Sequence, residues 1–439
     1  MTQTLTKVPY ELLFTGGVIL AFAVFNVPIL LLSVVVLGIA SALVLPFNRI
    51  LSFTIFLLPC FEVFTRTSYL PISLVTLIYI AFFGRYLLTQ ITQTTFFLPG
   101  VMVLLMVVTF ELLHVIYNPV MYSAKTLRWV MLFLFVALLI FDKNKYASFY
   151  ELRRALLYGV IVSATYGLMF HYFHPVDYMN IDKIKRFSGG AGDPNNFGLY
   201  CLLTLFFYLP TMPKESISYK GFSIMLVMIL LGSLTVSRSF FLISAVSLFL
   251  YFVFYFRSSI NEVIFRLLLA FNIVAVLVAV AYLSGISMPT NLDIVKRFSS
   301  NDLSALTGAR SVIFQEYVAV LINLPVIFLI FGAGINGYLG YFNHKFEQLG
   351  LFSEVVGPHN TFLELIVSFG LIGCILFFAF LHFAFYAEKI RATPTKVYRL
   401  AYLPLIVLAM YSISLQNLGK YGSYFILMLV IYHTYNRRS

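Results

Sequence analysis

Charge is scarce in this chain. Asp, Glu, Lys and Arg make up 10% of its 439 residues, against about 25% in a soluble domain, which excludes an ordinary water-soluble fold. Cysteine is nearly absent: Cys60, Cys201 and Cys374 each sit in an apolar run with no CxxC spacing. Packing is their default role, and neither a disulfide framework nor a thiolate metal site is indicated. There is no Walker loop, no paired-histidine zinc motif and no Cys/His cluster, so nucleotide hydrolysis by a P-loop and zinc chemistry are not suggested. Carboxylates are few, 17 against 29 Lys and Arg, and none forms an obvious DxD-like metal pair; no cofactor and no metal are expected. Short alternating segments are also lacking, which argues against a membrane β-barrel. No cleavage-like site follows the first apolar run, so no secretory signal peptide is indicated.

Hydrophobic residues, by contrast, make up 61% of the chain. Repeated apolar runs of about 17–25 residues imply transmembrane helices, because a helix alone satisfies its own backbone in lipid. The runs amount to about 14 spans, the first three of them short. The reading is one all-α membrane domain over 1–439. The formal charge of +12 then fits cytoplasmic loops and anionic lipid, and no nucleic acid is expected as a partner. With both termini cytoplasmic, a majority of the Lys and Arg residues fall inside. The exceptions cluster at 183–186, 238 and 296–310, on the outer face, against the orientation rule.

Two outer loops hold most of the polar residues. The first, 173–193, contains Lys183, Lys185, Arg186 and Phe187-Ser188, and leads into Asp193-Pro194-Asn195-Asn196. The second, 288–360, contains Lys296-Arg297-Phe298-Ser299, Gly308-Ala309-Arg310, Gly332-Ala333-Gly334 and Gly357-Pro358-His359-Asn360. Lys-Arg-Phe-Ser occurs in both. Ten residues separate Arg297 from Gly308, and eleven separate Arg186 from Gly198. Val318–Phe331 is apolar but interrupted by Asn323 and Pro325, and reads as a short interfacial helix.

Arginine suits a phosphate or diphosphate: its planar fork makes paired hydrogen bonds and stays charged. Arg186, Arg238, Arg297 and Arg310 come from separate segments and meet only through folding. Arg238, in Thr235-Val236-Ser237-Arg238-Ser239, equally suits a headgroup-facing side chain, and Lys183 and Lys185 suit a solvated loop face. His359 stands at the start of a long apolar run, where a neutral imidazole can act as a general base or simply cap the helix. Asn360 and Glu364 follow it, and Glu364 either orients His359 or satisfies a polar neighbour within the bundle. Glu111 and His114, three apart on one helix face, are a further candidate pair inside the membrane.

Taken in order, Gly192-Asp193-Pro194-Asn195-Asn196, Thr235-Val236-Ser237-Arg238-Ser239, Gly308-Ala309-Arg310, Gly332-Ala333-Gly334, and His359-Asn360-Thr361-Phe362-Leu363-Glu364 with Phe369-Gly370-Leu371-Ile372-Gly373 resemble the bacterial O-antigen polymerase and O-antigen ligase family of polytopic membrane glycosyltransferases. The resemblance covers most of 150–388. It implies an all-α, GT-C-like transmembrane helix bundle of about 12 spans in the bacterial inner membrane, with a large periplasmic loop. It implies transfer of a saccharide from undecaprenyl diphosphate without a metal, with inversion at the anomeric carbon. Diphosphate or substrate contacts are implied for Arg186, Arg238, Arg297, Arg310, Asn360 and Glu364, and the role of base for His359. The implied partners are an undecaprenyl-diphosphate-linked oligosaccharide, membrane lipid and a chain-length regulator membrane protein. The paired arginine loops favour a polymerase over a ligase. A transporter or flippase of an anionic lipid-linked saccharide is the alternative of another class; it fits less well because no convincing internal repeat is seen.

Overall fold

A computed structural model describes residues 8–64, 74–117, 124–144, 146–174, 186–210, 218–255, 310–323, 325–335, 358–392, 399–415 and 421–435. Arg297, the second Lys-Arg-Phe-Ser copy, Lys183, Lys185 and the apolar run near 263–285 lie outside the described residues. The chain is a polytopic helical bundle, and no strand occurs among the described residues. The helices are α1 (Tyr10–Phe25), α2 (Ile29–Val44), α3 (Phe47–Leu57, continued by a 3-10 turn, Leu58–Phe64), α4 (Leu74–Thr89), α5 (Leu98–Tyr117), α6 (Ala124–Phe141), α7 (Phe149–Phe173), α8 (Pro194–Tyr208), α9 (Tyr219–Ser233) and α10 (Arg238–Tyr255). Then come α11 (Arg310–Ile322), α12 (Val326–Phe331), α13 (Thr361–Ala392), α14 (Leu403–Ser414) and α15 (Tyr421–Tyr435). Among the described residues, four stretches are long and apolar enough to cross a membrane: Phe47–Phe64, Phe149–Phe173, Arg238–Tyr255 and Thr361–Arg391.

Local chemistry sets the helix ends. Ser148 and Glu151 form a reciprocal capping box at α7. Asp193 caps α8 with Pro194 in its first turn, where the missing N–H of proline costs nothing. The expected break near Asn323 and Pro325 is present: α11 ends, Asn323 Nδ2 donates back to Ala319 O at 2.8 Å, and Pro325 precedes α12. Around the bundle, apolar side chains such as Leu43, Leu105, Leu242 and Ile375 are exposed, as expected of helices whose outer face meets lipid. Inside, α3 is buried along most of its length against α7 and its neighbours.

Two ends of the bundle can be told apart by their polar contacts. At one end Arg391 donates to Glu388 and to Ile140 O, Asp142 accepts from Tyr86 and Tyr146, Arg153 donates to Phe207 O, and Arg49 pairs with Glu11. The other end gathers the C-terminal end of α7, the start of α8, the α9–α10 link, and the starts of α13 and α15. Arg186, Arg238 and His359 all lie at this second end.

The longest helix is broken. Gly370 in α13 has φ 60, so the helix changes direction there. Gly332, φ 77, lies directly against that break: a Cβ on Gly332 would stand 2.3 Å from Ser368 O, and one on Gly370 2.4 Å from Gly332 N. Only glycine at both positions permits this approach. The contact is a short backbone pairing in which Ala333 N donates to Val367 O at 3.0 Å and Gly334 N to Ser368 O at 2.7 Å.

Candidate active site

Arg186 and Arg238 sit on two segments that are hydrogen-bonded together. Phe187 N donates to Leu234 O at 3.3 Å, and Arg186 Nε donates to Thr235 O at 3.3 Å. Between them stands Asn195, in the first turn of α8 and buried. Its Oδ1 accepts from Ser237 Oγ at 2.6 Å and from Arg186 Nη2 at 3.4 Å, while its Nδ2 donates to Asp193 Oδ1 at 3.1 Å. One amide thus holds the loop that carries Arg186 to the link that carries Arg238. Val236 in that link adopts φ 49, an uncommon conformation for a β-branched residue. The loop is also fastened on its other side, where Gly190 N donates to Ser163 and Gly190 O accepts from Glu62 N. Both arginines are only half-buried, and the carboxylate of Asp193 stands in the same corner.

His359 lies at the same end, at the start of α13. Pro358 before it is buried, and His359 itself is half-buried with φ 47. A left-handed backbone at a non-glycine residue of this kind costs about 1–3 kcal/mol and is most often met at functional sites. Asn360 caps the helix: its Oδ1 accepts from Phe362 N at 2.9 Å and Leu363 N at 3.0 Å. The capping task therefore falls to Asn360 and leaves the imidazole of His359 unneeded for it. Thr361 Oγ1 donates to Leu415 O at 2.6 Å, tying α13 to the end of α14. Glu364, one turn in, is buried in the bundle. It faces Tyr317 of α11, whose phenol is pushed up by burial and then by the Glu364 carboxylate. Arg310 opens α11, which places its backbone in the helix packed beside Glu364; its side chain lies outside the described residues, as does all of Arg297.

Two cavities lie beside α15. A small one is lined by Asn196 and Tyr200 of α8 and by Gly422 and Ser423 of α15. Ser423 also lines a larger groove of about 350 Å³ between α13, α14 and α15. That groove starts at Thr361, Ser412 and Ser423 and continues along apolar side chains including Leu365, Phe377 and Leu405. Phe362 and Phe378 on its lining are exposed, so it opens sideways. Thr361, two residues from His359, is part of the lining of this almost wholly apolar groove.

The sequence shows Asn195 only as part of the Asp193-Pro194-Asn195-Asn196 motif, and it does not reveal the groove. The Glu111–His114 pair, expected from the i, i+3 spacing, is present, with His114 Nδ1 3.7 Å from Glu111 Oε2.

A family model described as O-antigen ligase matches residues 223–378. The match contains the α9–α10 link, Arg310, the Gly332–Gly370 contact, His359 and Glu364, and leaves out Arg186, Asn195 and α14–α15. No curated protein matches the chain.

Proposed function

We propose that the chain, whose residues 223–378 match a family model described as O-antigen ligase, is a membrane glycosyltransferase and acts as a surface-polysaccharide polymerase. It moves a growing glycan from undecaprenyl diphosphate to the non-reducing end of a lipid-linked repeat unit, on the periplasmic side of the bacterial inner membrane. The observation that carries this reading is the junction at one end of the bundle. Half-buried cations and a histidine at a strained helix start belong to the same end, and an apolar groove is lined by Thr361, two residues from that histidine. A polyprenyl diphosphate has the same parts: an anion joined to a long apolar chain.

In this reading the polyprenyl chain lies in the groove between α13, α14 and α15, and its diphosphate sits among Arg186, Arg238 and the loop that carries Arg297 and Arg310. His359 accepts the proton of the acceptor hydroxyl as that oxygen bonds to the anomeric carbon. The bond from that carbon to the diphosphate breaks at the same time, and the arginines stabilise the charge that collects on the leaving group. Attack from the opposite face inverts the centre, and no metal takes part. Asn360 and Glu364 hold the helix start that carries His359.

The ligase reading, with lipid A-core as acceptor, draws on the description of the matching family. Electrophoresis of surface glycan from a deletion strain separates the two. Loss of a polymerase leaves single repeats on the core, whereas loss of a ligase leaves none. A transporter of the same lipid-linked saccharide would give no elongated product when the purified chain is incubated with the donor.

A further inference from the structure

Deep in the bundle, α5 carries a carboxylate and an imidazole that the proposed chemistry does not use. Glu111 is fully buried. Its Oε1 accepts from Ile335 N at 3.0 Å, and its Oε2 faces His114 Nδ1 at 3.7 Å. The two ring nitrogens of His114 each face a carbonyl oxygen: Nδ1 lies 3.0 Å from Phe110 O, and Nε2 lies 2.8 Å from Phe331 O. A neutral imidazole has one N–H, so one of these contacts would set a nitrogen lone pair against an oxygen lone pair. Two carbonyl partners at hydrogen-bonding distance require two N–H groups, and the adjacent carboxylate supplies the matching negative charge. Burial opposes a lone charge on either group, but the pair as a whole is neutral and three of its polar atoms are hydrogen-bonded.

We propose that Glu111 and His114 are positioning residues, a charge-separated pair inside the membrane that latches segment 332–335 onto α5. The latch holds that segment at both of its ends. Phe331 O and Ile335 N are fixed by the pair, and Ala333 N and Gly334 N between them are bonded to Val367 O and Ser368 O at the break in α13. Segment 332–335 is thus wedged between α5 and the kink, and the kink sets the direction of the half-helix that starts at His359. Among the described residues, Tyr424 of α15 feels Glu111, and it also feels Glu364 of α13. Beyond Glu364 lies Tyr317 of α11. From α6, Trp129 donates to Tyr424 at 2.7 Å, and α12 contributes the Phe331 carbonyl. Removing the single proton from His114 leaves an unpaired carboxylate and one repulsive nitrogen–oxygen contact, so the latch loosens as pH rises. The link to catalysis rests on the glycosyl-transfer reading; the ionic pair does not.

The test uses the full chain in lipid bilayers, with ¹⁵N-labelled histidine and ¹³C-carbonyl phenylalanine. The His114 signals are recognised by the coupling of both ring nitrogens to phenylalanine carbonyls and by their loss in His114→Gln. Both nitrogens are expected to carry a proton at neutral pH, and Glu111→Gln is expected to leave only one protonated. A single protonated nitrogen in the wild-type protein at neutral pH overturns the proposal, whatever the protein's activity. A doubly protonated His114 in a protein without transfer activity instead overturns the functional reading and leaves the pair standing. In the transfer assay, His114→Gln is expected to lower kcat about tenfold, equal to ~1.4 kcal/mol, with KM for donor unchanged and the alkaline fall of the pH profile gone. An alkaline fall retained in that variant contradicts the latch.

Discussion

At the scale of single residues, Asn195 and His359 carry different burdens. The amide of Asn195 joins Arg186, Ser237 and Asp193, and no group of similar size makes all three contacts. Asn195→Ala should raise KM for the lipid-linked donor more than it lowers kcat, because it loosens the two cations that, in the proposed function, hold the diphosphate before and during reaction. Asn195→Asp keeps the size but places a carboxylate beside Arg186; it should weaken donor binding further than alanine does. Equal KM values for the two variants would show that Asn195 only packs. His359→Ala, by contrast, should cut kcat by roughly 10²–10⁴, the usual worth of a positioned base, with donor KM little changed. With His359 as the proposed base, the wild-type rate is expected to fall as pH is lowered, because a protonated imidazole has no lone pair to accept a proton.

The helices themselves stand or fall on contacts between distant elements. Gly332 touches the backbone of α13 at the break at Gly370, and both have positive φ. Gly332→Ala puts a methyl group within 2.3 Å of Ser368 O and also strains the backbone, at a cost of about 1–3 kcal/mol from the conformation alone. A thermal melt in detergent should show a clearly lower Tm for this variant than for Gly17→Ala, whose added Cβ meets nothing within 4 Å. Much at this scale could be read in the sequence. Ser148 with Glu151, Asp193 with Pro194, and Asn323 with Pro325 announce helix ends through local hydrogen bonds and proline geometry, and the helices follow. Glycines 332 and 370 are visible in the sequence, but their partnership is not, because each looks like an ordinary loop or helix glycine until the fold brings the two together. Asn195 is similar: a capping pattern next to Asp193 conceals contacts to Arg186 and Ser237 that depend on three separate segments.

Across the whole molecule, the bundle sorts its polar groups by end. Arg49, Arg153 and Arg391 are fastened at one end by carboxylates or carbonyls, and Arg186, Arg238 and His359 collect at the other. The same division follows from the alternation of apolar runs along the chain, which puts Arg49, Arg153 and Arg391 on one side and Arg186 and Arg238 on the other. The groove does not follow in this way, since its walls come from α13, α14 and α15 and its shape depends on how three apolar helices of similar composition lean apart. Its occupant can be tested by filling it. Ala409 lines the slot, and Ala409→Trp should raise KM for a full-length polyprenyl donor about tenfold while leaving a donor with a short prenyl chain unaffected. An equal effect on both donors would mean that the slot holds no lipid tail.

The most direct test of the account is turnover by the purified chain. The wild-type protein and His359→Ala, both reconstituted in bilayers, are incubated with an undecaprenyl-diphosphate-linked repeat unit, and the products are separated by size. The account predicts a ladder of lengthened glycan with release of undecaprenyl diphosphate from the wild type, and input material alone from the variant. A ladder of equal rate from His359→Ala, or no release of undecaprenyl diphosphate by the wild type, would contradict it.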